Sequence, residues 1–246
     1  MAMRRTRPSR VPAALNDAEE SLNVGLTRNA AAENYQSWLY DLAEPHLGAT
    51  CLEIGSGRGD LTGQLARGRR LDATDVSEQF VALLERRFAG SDNVTVRCLD
   101  MATFAPRERY DTIVMMNVLE HIEDDATALK TLREALNPGG RIVLYVPAFM
   151  LLYSDFDREI GHYRRYRKKE LRQLVERAGY DVVDSRYVNS LGAVGWFVYS
   201  RVLGRKPSDQ LTVSACDRIV VPMVRRVEGK IRPPFGLSVL VVGRVA

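Results

Sequence analysis

Leu52-Glu53-Ile54-Gly55-Ser56-Gly57-Arg58-Gly59-Asp60-Leu61 sets a GxGxG turn between a short apolar run, Thr50–Ile54, and the start of a helix. Glycine accepts positive φ and lets backbone approach a ligand where a Cβ would clash. The free N–H groups opening the next helix favour an anionic ligand group. Glu53 precedes the first glycine, and Asp75 closes the next apolar run, Arg70–Thr74. A carboxylate at that place suits a ribose diol, because it accepts both hydroxyl hydrogens. A third run, Val94–Leu99, ends in Asp100-Met101. Carboxylates at successive strand ends converge on one crevice, which is where open α/β sheets bind ligands.

Outward from this turn the chain alternates strand and helix patterns. Tyr35, Trp38, Leu39, Leu42 and Leu47 recur at helical spacing over Asn34–Leu47, with Pro45 marking the exit. Helices are predicted at Leu61–Arg67, Glu78–Phe88, Ala126–Leu136 and Lys169–Ala178. Further strands are predicted at Val94–Cys98, Thr112–Met116, Arg141–Pro147, Val182–Tyr187 and Ser238–Arg244. Asn137-Pro138-Gly139-Gly140 reads as a helix stop, since proline cannot continue a helix and glycine permits the tight exit. Such alternation calls for a mostly parallel sheet covered on both faces, a three-layer α/β sandwich. Leu191–Pro234 interrupts the pattern. It reads as extra helices over one end of the sheet and as the element expected to set specificity.

The chain has 246 residues, 46% of them hydrophobic and 27% charged, with a formal charge of +4. This length supports one substantial domain, expected over residues 21–246, without disulfide or metal staples. Residues 1–20, with Arg4, Arg5, Arg7 and Arg10 among Pro and Ser, read as a disordered basic tail. Cys51, Cys98 and Cys216 have no CxxC or Cys/His spacing, and Cys51 and Cys98 read as small core residues. Arg and Asp interrupt every candidate membrane span, and no signal-peptide core opens the chain. The expectation is a cytoplasmic protein without an integral membrane segment.

Taken together, several pieces resemble the class I S-adenosylmethionine (SAM)-dependent methyltransferase family. They are Glu53–Gly59, Thr74-Asp75-Val76-Ser77, Leu99-Asp100-Met101, Asn117-Val118-Leu119-Glu120-His121 and Leu136–Arg141. The resemblance spans about residues 34–187, with a closing strand at 238–244. It implies a Rossmann-like, seven-stranded, mostly parallel sheet with an antiparallel last strand, with SAM as cofactor and S-adenosylhomocysteine as product. It also implies that Gly55, Ser56 and Gly57 lie near the methionine part and that Asp75 holds the ribose. Val76 would pack on the adenine, Asp100 would bond its amino group, Asn117 and Val118 would line the other side, and Tyr35 would touch the SAM carboxylate. A dinucleotide-binding reading fits less well, because positions 60 and 61 are Asp and Leu and the third glycine of that fingerprint is missing.

Methyl transfer is an in-line displacement that needs alignment and, for a hydroxyl acceptor, a base. His121, just past the fourth strand, and His162 are the candidate catalytic residues; for His121 the alternative is a role in orienting its loop. Quinone-pathway O-methyltransferases carry a related Glu, Glu, His motif proposed to bind a divalent cation. Here Asn117 stands at its first position, and no metal is expected from the remaining Glu120 and His121.

The stretch Asp155–Tyr166 ends in Gly161-His162-Tyr163-Arg164-Arg165-Tyr166, which resembles a bacterial subgroup linked to natural-product or glycan pathways. Tyr163, Arg164, Arg165 and Tyr166 are read as an acceptor surface, since Arg pairs bidentately with carboxylate or phosphate; the alternative is a solvated loop with Arg–Asp pairs. The expected acceptor is a small molecule bearing an anionic group and methylated on oxygen, with nitrogen and carbon open. A homodimer is possible on this reading, and no nucleic-acid partner is expected. The chain has neither an Asn/Asp-Pro-Pro-aromatic turn after strand four nor a Pro-Cys pair. An RNA methyltransferase and a non-catalytic SAM-binding protein are the remaining alternatives.

Overall fold

The computed structural model describes residues 32–198, 214 and 216–246. The basic tail and residues 199–213 of the long excursion lie outside the described residues. Seven strands, β1 (Thr50–Ile54), β2 (Arg70–Asp75), β3 (Val94–Cys98), β4 (Tyr110–Met116), β5 (Leu136–Pro147), β6 (Asp181–Val188) and β7 (Ser238–Arg244), form one sheet in the order β3-β2-β1-β4-β5-β7-β6. β7 runs antiparallel to both its neighbours, β5 and β6, while the other pairings are parallel. The strand order reverses beside β1, so the crevice outside the carboxyl ends of β1 and β4 is a topological switch point.

The helices are α1 (Glu33–Ala43), α2 (Thr62–Leu65), α3 (Glu78–Phe88), α4 (Asp125–Glu134), α5 (Asp155–Glu159), α6 (Lys168–Arg177), α7 (Ser190–Phe197) and α8 (Val221–Glu228). Each central strand serves two cores by strict alternation. Ile113 and Met115 join Leu129 and Leu132 of α4 and Leu171 and Val175 of α6 on one face. Val114, between them, joins Trp38, Leu39 and Leu42 of α1 and Val224 of α8 on the other. A sheet covered on both sides has no polar face, which is why these strands read as continuous apolar runs. Each fully buried Leu or Ile contributes roughly 1.5–3 kcal/mol.

Several local expectations are corrected. α1 stops at Ala43, and Pro45 sits in a following 3₁₀ turn, Glu44–His46. The helix expected over Leu61–Arg67 is the single turn of α2. Asn137–Gly140 is the first part of β5, which pairs back at Leu136↔Tyr110 across an irregularity in the ladder. Proline is tolerated where the ladder is broken, which the local sequence does not show. Cys51 is buried, whereas Cys98 is exposed on β3, the edge strand. No helix among the described residues is long and apolar enough to cross a membrane.

Candidate active site

Outside the glycines, three described residues have positive φ: Asn117 (55°), Phe149 (59°) and Asn189 (65°). Each lies one or two residues past the carboxyl end of β4, β5 or β6. Strained backbone of this kind persists where the surroundings over-determine it and clusters at ligand sites. With Gly55 (φ 73°) past β1, four strand ends on one rim carry left-handed backbone.

The glycine turn is braced from within. Burial pushes the Glu53 carboxyl up to about 7, opposed by hydrogen bonds from Thr62 and Ser56. Ser56 Oγ donates to Glu53 Oε2 at 2.8 Å and Thr62 Oγ1 donates to the same oxygen at 2.6 Å. Ser56 Oγ also accepts the Thr74 N–H (3.1 Å), and Ser56 N–H donates to Thr74 O (2.9 Å). The Ser56 side chain therefore pins β1 to β2, which leaves its backbone as the part able to meet a ligand. A Cβ on Gly55 would stand 2.4 Å from Val118 Cγ2, so the turn and the segment after β4 close on each other around a missing side chain.

Asp75 sits at the end of β2 with one oxygen accepting Gly57 N–H (2.8 Å) and the other Ser77 N–H (2.9 Å). Burial raises its pKa, and those backbone bonds oppose the shift. Each oxygen keeps a further lone pair for a ligand hydroxyl. Val76 is 65% exposed beside it, an aliphatic surface at the crevice rim. Asp100 is exposed, with Oδ1 accepting Ala102 N–H, and Met101 is half-buried against the core. These residues fit a nucleoside cofactor: a clamped carboxylate, a flat aliphatic neighbour and a turn closed to any Cβ.

Tyr35 and Trp38 on α1 part company. Trp38 is core, while Tyr35 OH lies 3.0 Å from Tyr145 OH of β5. The start of α1 is held from the far end of the chain, where buried Asp217 accepts the N–H groups of Asn34 (3.1 Å) and Tyr35 (2.9 Å).

Beyond β4 the chain builds a second, continuous cluster. Glu120 is fully buried and, among the described residues, neither of its oxygens has a hydrogen-bond partner. Burial pushes its carboxyl up to about 8, so at neutral pH it holds a proton. Tyr163 N–H donates to Glu120 O (2.9 Å), joining the post-β4 turn to the loop after β5. The His121 and His162 rings meet edge-to-face with centroids 4.6 Å apart. His162 Nδ1 lies 2.8 Å from Asp157 Oδ1, and Nε2 lies 3.8 Å from Glu120 Oε1. Asp157 is fully buried and bound by Arg165 through Nε (2.8 Å) and Nη2 (3.0 Å). Burial works against ionisation of Asp157, but the hydrogen bonds from His162 and Arg165 hold its carboxyl well below the usual carboxylate range. Burial pushes His121 down to about 4, and electrostatic repulsion from His162 adds to the shift.

This arrangement corrects the expected acceptor surface. Arg165 is buried and spent on Asp157, with its guanidinium 5.2 Å from the Trp196 ring centroid. Arg164 pairs with Asp125 (2.7 Å) and donates to Glu123 O (2.7 Å). Tyr166 is buried, its hydroxyl donating to Asp125 Oδ2 (2.8 Å). Tyr163 alone of the four is exposed. Charged side chains in one loop found their partners inside the protein, because desolvated guanidinium demands a carboxylate. The Arg–Asp pairs of the alternative reading are formed, with Asp157 and Asp125 as their acids. The spacing from Asp157 to His162 and Arg165 was the available signal. The structure also adds His162 to Glu120 and His121, and ligand atoms of all three lie within 4.8 Å of one another.

A family model described as a methyltransferase domain matches residues 26–185. The chain belongs to this methyltransferase family. It carries a SAM-dependent methyltransferase domain on a Rossmann-like sheet. It is 29% identical over 186 residues to a probable SAM-dependent methyltransferase of Mycolicibacterium smegmatis, covering 71% of this chain and 69% of that one. It is 30% identical over 125 residues to a ubiquinone biosynthesis O-methyltransferase of Bradyrhizobium diazoefficiens, covering 50% of this chain and 49% of the relative. Against several curated relatives the match thus spans about half of their length or less. The N-methyltransferase NodS of Bradyrhizobium japonicum, solved with S-adenosylhomocysteine, shares the fold with a TM-score of 0.55 at 18% identity, over 87% of this chain and 86% of that one.

Proposed function

We propose that this methyltransferase acts on a hydroxyl oxygen of a small-molecule acceptor, with His162 as general base. The observation that carries the proposal is the 2.8 Å pairing of His162 Nδ1 with an Asp157 that Arg165 grips bidentately. An ionised Asp157 fixes Nδ1 as the protonated nitrogen, leaves Nε2 to receive the hydroxyl proton, and stabilises the ring as it becomes charged. His121 has the weaker claim, because a ring titrating near 4 is a poor base at neutral pH. It serves as a neutral wall beside His162.

On this reading SAM binds along the rim of β1, β2 and β4. Asp75 takes the ribose, Val76 and Asp100 the adenine, Asn117 and Val118 the opposite side, and the backbone of Gly55–Gly57 the methionine part. SAM supplies the electrophilic methyl group, and the protein supplies alignment and a place for the proton. Glu53 braces the turn, and Tyr35, held by Tyr145, lids it. α7 packs its Trp196 against Leu152 O (3.0 Å) and Phe156, which supports a role for the excursion on the acceptor side. The resemblance of 161–166 to the natural-product and glycan subgroup, and the quinone O-methylating relative, favour a metabolite over a nucleic acid. With Arg164 and Arg165 spent internally, the anionic group expected of the acceptor loses its support.

The test is incubation with methyl-labelled SAM and extract of the source organism, comparing the unaltered protein with His162→Ala. Label in low-molecular-weight or lipid-extractable material, reduced about 10²–10⁴-fold by the substitution, is the expected result. Label destroyed by nuclease, or transfer indifferent to His162, overturns the proposal.

A further inference from the structure

The last helical stretch presents a surface that the methyl-transfer site does not use. A wide helical turn, Cys216–Val220, runs directly into α8. Its inner side carries buried Asp217 and Val224. On its outer side Ile219, Met223, Val227 and Ile231 are 71%, 52%, 49% and 59% exposed. Met223 and Val227 lie four residues apart on one face of α8, with Ile219 in the wide turn before it and Ile231 just past its end. The adjacent row, one residue earlier at each step, is Arg218, Pro222, Arg226 and Lys230, all exposed. An aliphatic row therefore runs alongside a cationic one.

The acids of this stretch are consumed elsewhere. Asp217 caps α1, and Glu228 accepts the N–H groups of Asn189 (2.9 Å) and Ser190 (2.8 Å). Asp41, at the margin, pairs with Arg225. What remains outward is aliphatic and cationic. The cationic row also borders an open cleft of about 510 Å³ whose lining includes Asn34, Pro222, Arg225, Arg226 and Lys230.

We propose that this face lies on an anionic membrane surface, with the Ile219–Ile231 row in the acyl boundary and Arg218, Arg226 and Lys230 among the lipid phosphates. Aliphatics on one side and Arg/Lys beside them is the pattern of an interfacial helix. A second copy of the chain is a poorer occupant, because a self-complementary contact sets these cations against each other, and the acids described in this stretch are already paired. The row also lacks the aromatic anchors on which protein interfaces concentrate their energy.

The test is flotation of the full chain with phosphatidylcholine vesicles and with vesicles that also contain phosphatidylglycerol. The expected result is binding to the anionic vesicles alone, weakened about fivefold for each cation removed among Arg218→Gln, Arg226→Gln and Lys230→Gln. Met223→Glu with Val227→Glu, both on exposed positions, abolishes flotation while leaving the melting temperature in place. Three outcomes overturn the proposal: no flotation with anionic vesicles; flotation that persists in both variants, which assigns it to another basic segment such as the Arg4–Arg10 region; or a concentration-dependent dimer that Met223→Glu disrupts, which makes the face a contact between copies.

Discussion

Asp157→Ala isolates the ion pair on which the proposed base depends. The wild-type carboxylate receives Arg165 Nε and Nη2, His162 Nδ1, and Ser154 N–H and Oγ. Its removal leaves Arg165, a residue 6% exposed, with its bidentate partner gone. Truncating one member of a buried pair costs about 3–5 kcal/mol, chiefly the desolvated charge left behind. For a chain of this size that lowers the melting temperature by roughly 6–20 °C. The pH sign follows from the depressed carboxyl: its contribution is present above the unfolded carboxylate pKa and is lost as pH falls through the folded one. The gap between wild type and variant therefore narrows in acid. Adding Arg165→Met removes the stranded charge and recovers most of the stability, since apolar replacement of a buried pair is often neutral. Methyl transfer does not recover, because His162 still lacks its orienting acid. Urea denaturation and labelled-methyl transfer on the single and double variants measure both. A loss under 1 kcal/mol in the single variant, or activity restored with stability in the double variant, refutes the reasoning.

Glu120→Gln stabilises the protein at neutral pH, because folding holds a proton to about pH 8 that the unfolded chain releases. The raised pKa makes wild-type stability fall as pH climbs from the unfolded value towards 8, on the order of 3–4 kcal/mol by pH 7. The advantage of Gln should vanish in denaturation below about pH 4. Gly55→Ala places a methyl 2.4 Å from Val118 Cγ2 at a φ of 73°, so calorimetry should show SAM affinity lost while His162 chemistry is untouched in sequence; unchanged affinity removes the turn from the cofactor site. Exhaustive chelation should leave transfer unchanged, and activity that vanishes and returns with a divalent cation assigns Glu120, His121 and His162 to a metal.

The rim proposed to take the cofactor was legible as local structure because its determinants are local. A glycine turn after an apolar run, and acids closing the next two runs, follow from backbone sterics and strand length alone. The bracing of that turn was less so. Thr62 and Ser56 reach Glu53 only because β1, β2 and α2 meet at one corner, and Tyr35 meets Tyr145 only across α1 and β5.

Residues 155–166 show where local reading stops. The sequence by itself determined that a histidine, two tyrosines, three arginines and several acids share one stretch after β5. It also determined the alternation that builds a doubly covered sheet, since period-two burial and glycine punctuation are properties of neighbouring residues. Only the tertiary structure decided which charges face outward. Arg165 turns in to Asp157, Arg164 and Tyr166 turn to Asp125 at the head of α4, and Glu120 is shut away beneath His162. The physical reason is that a buried charge takes its position from whichever opposite charge the fold brings within reach, and that distance is set through space rather than along the chain.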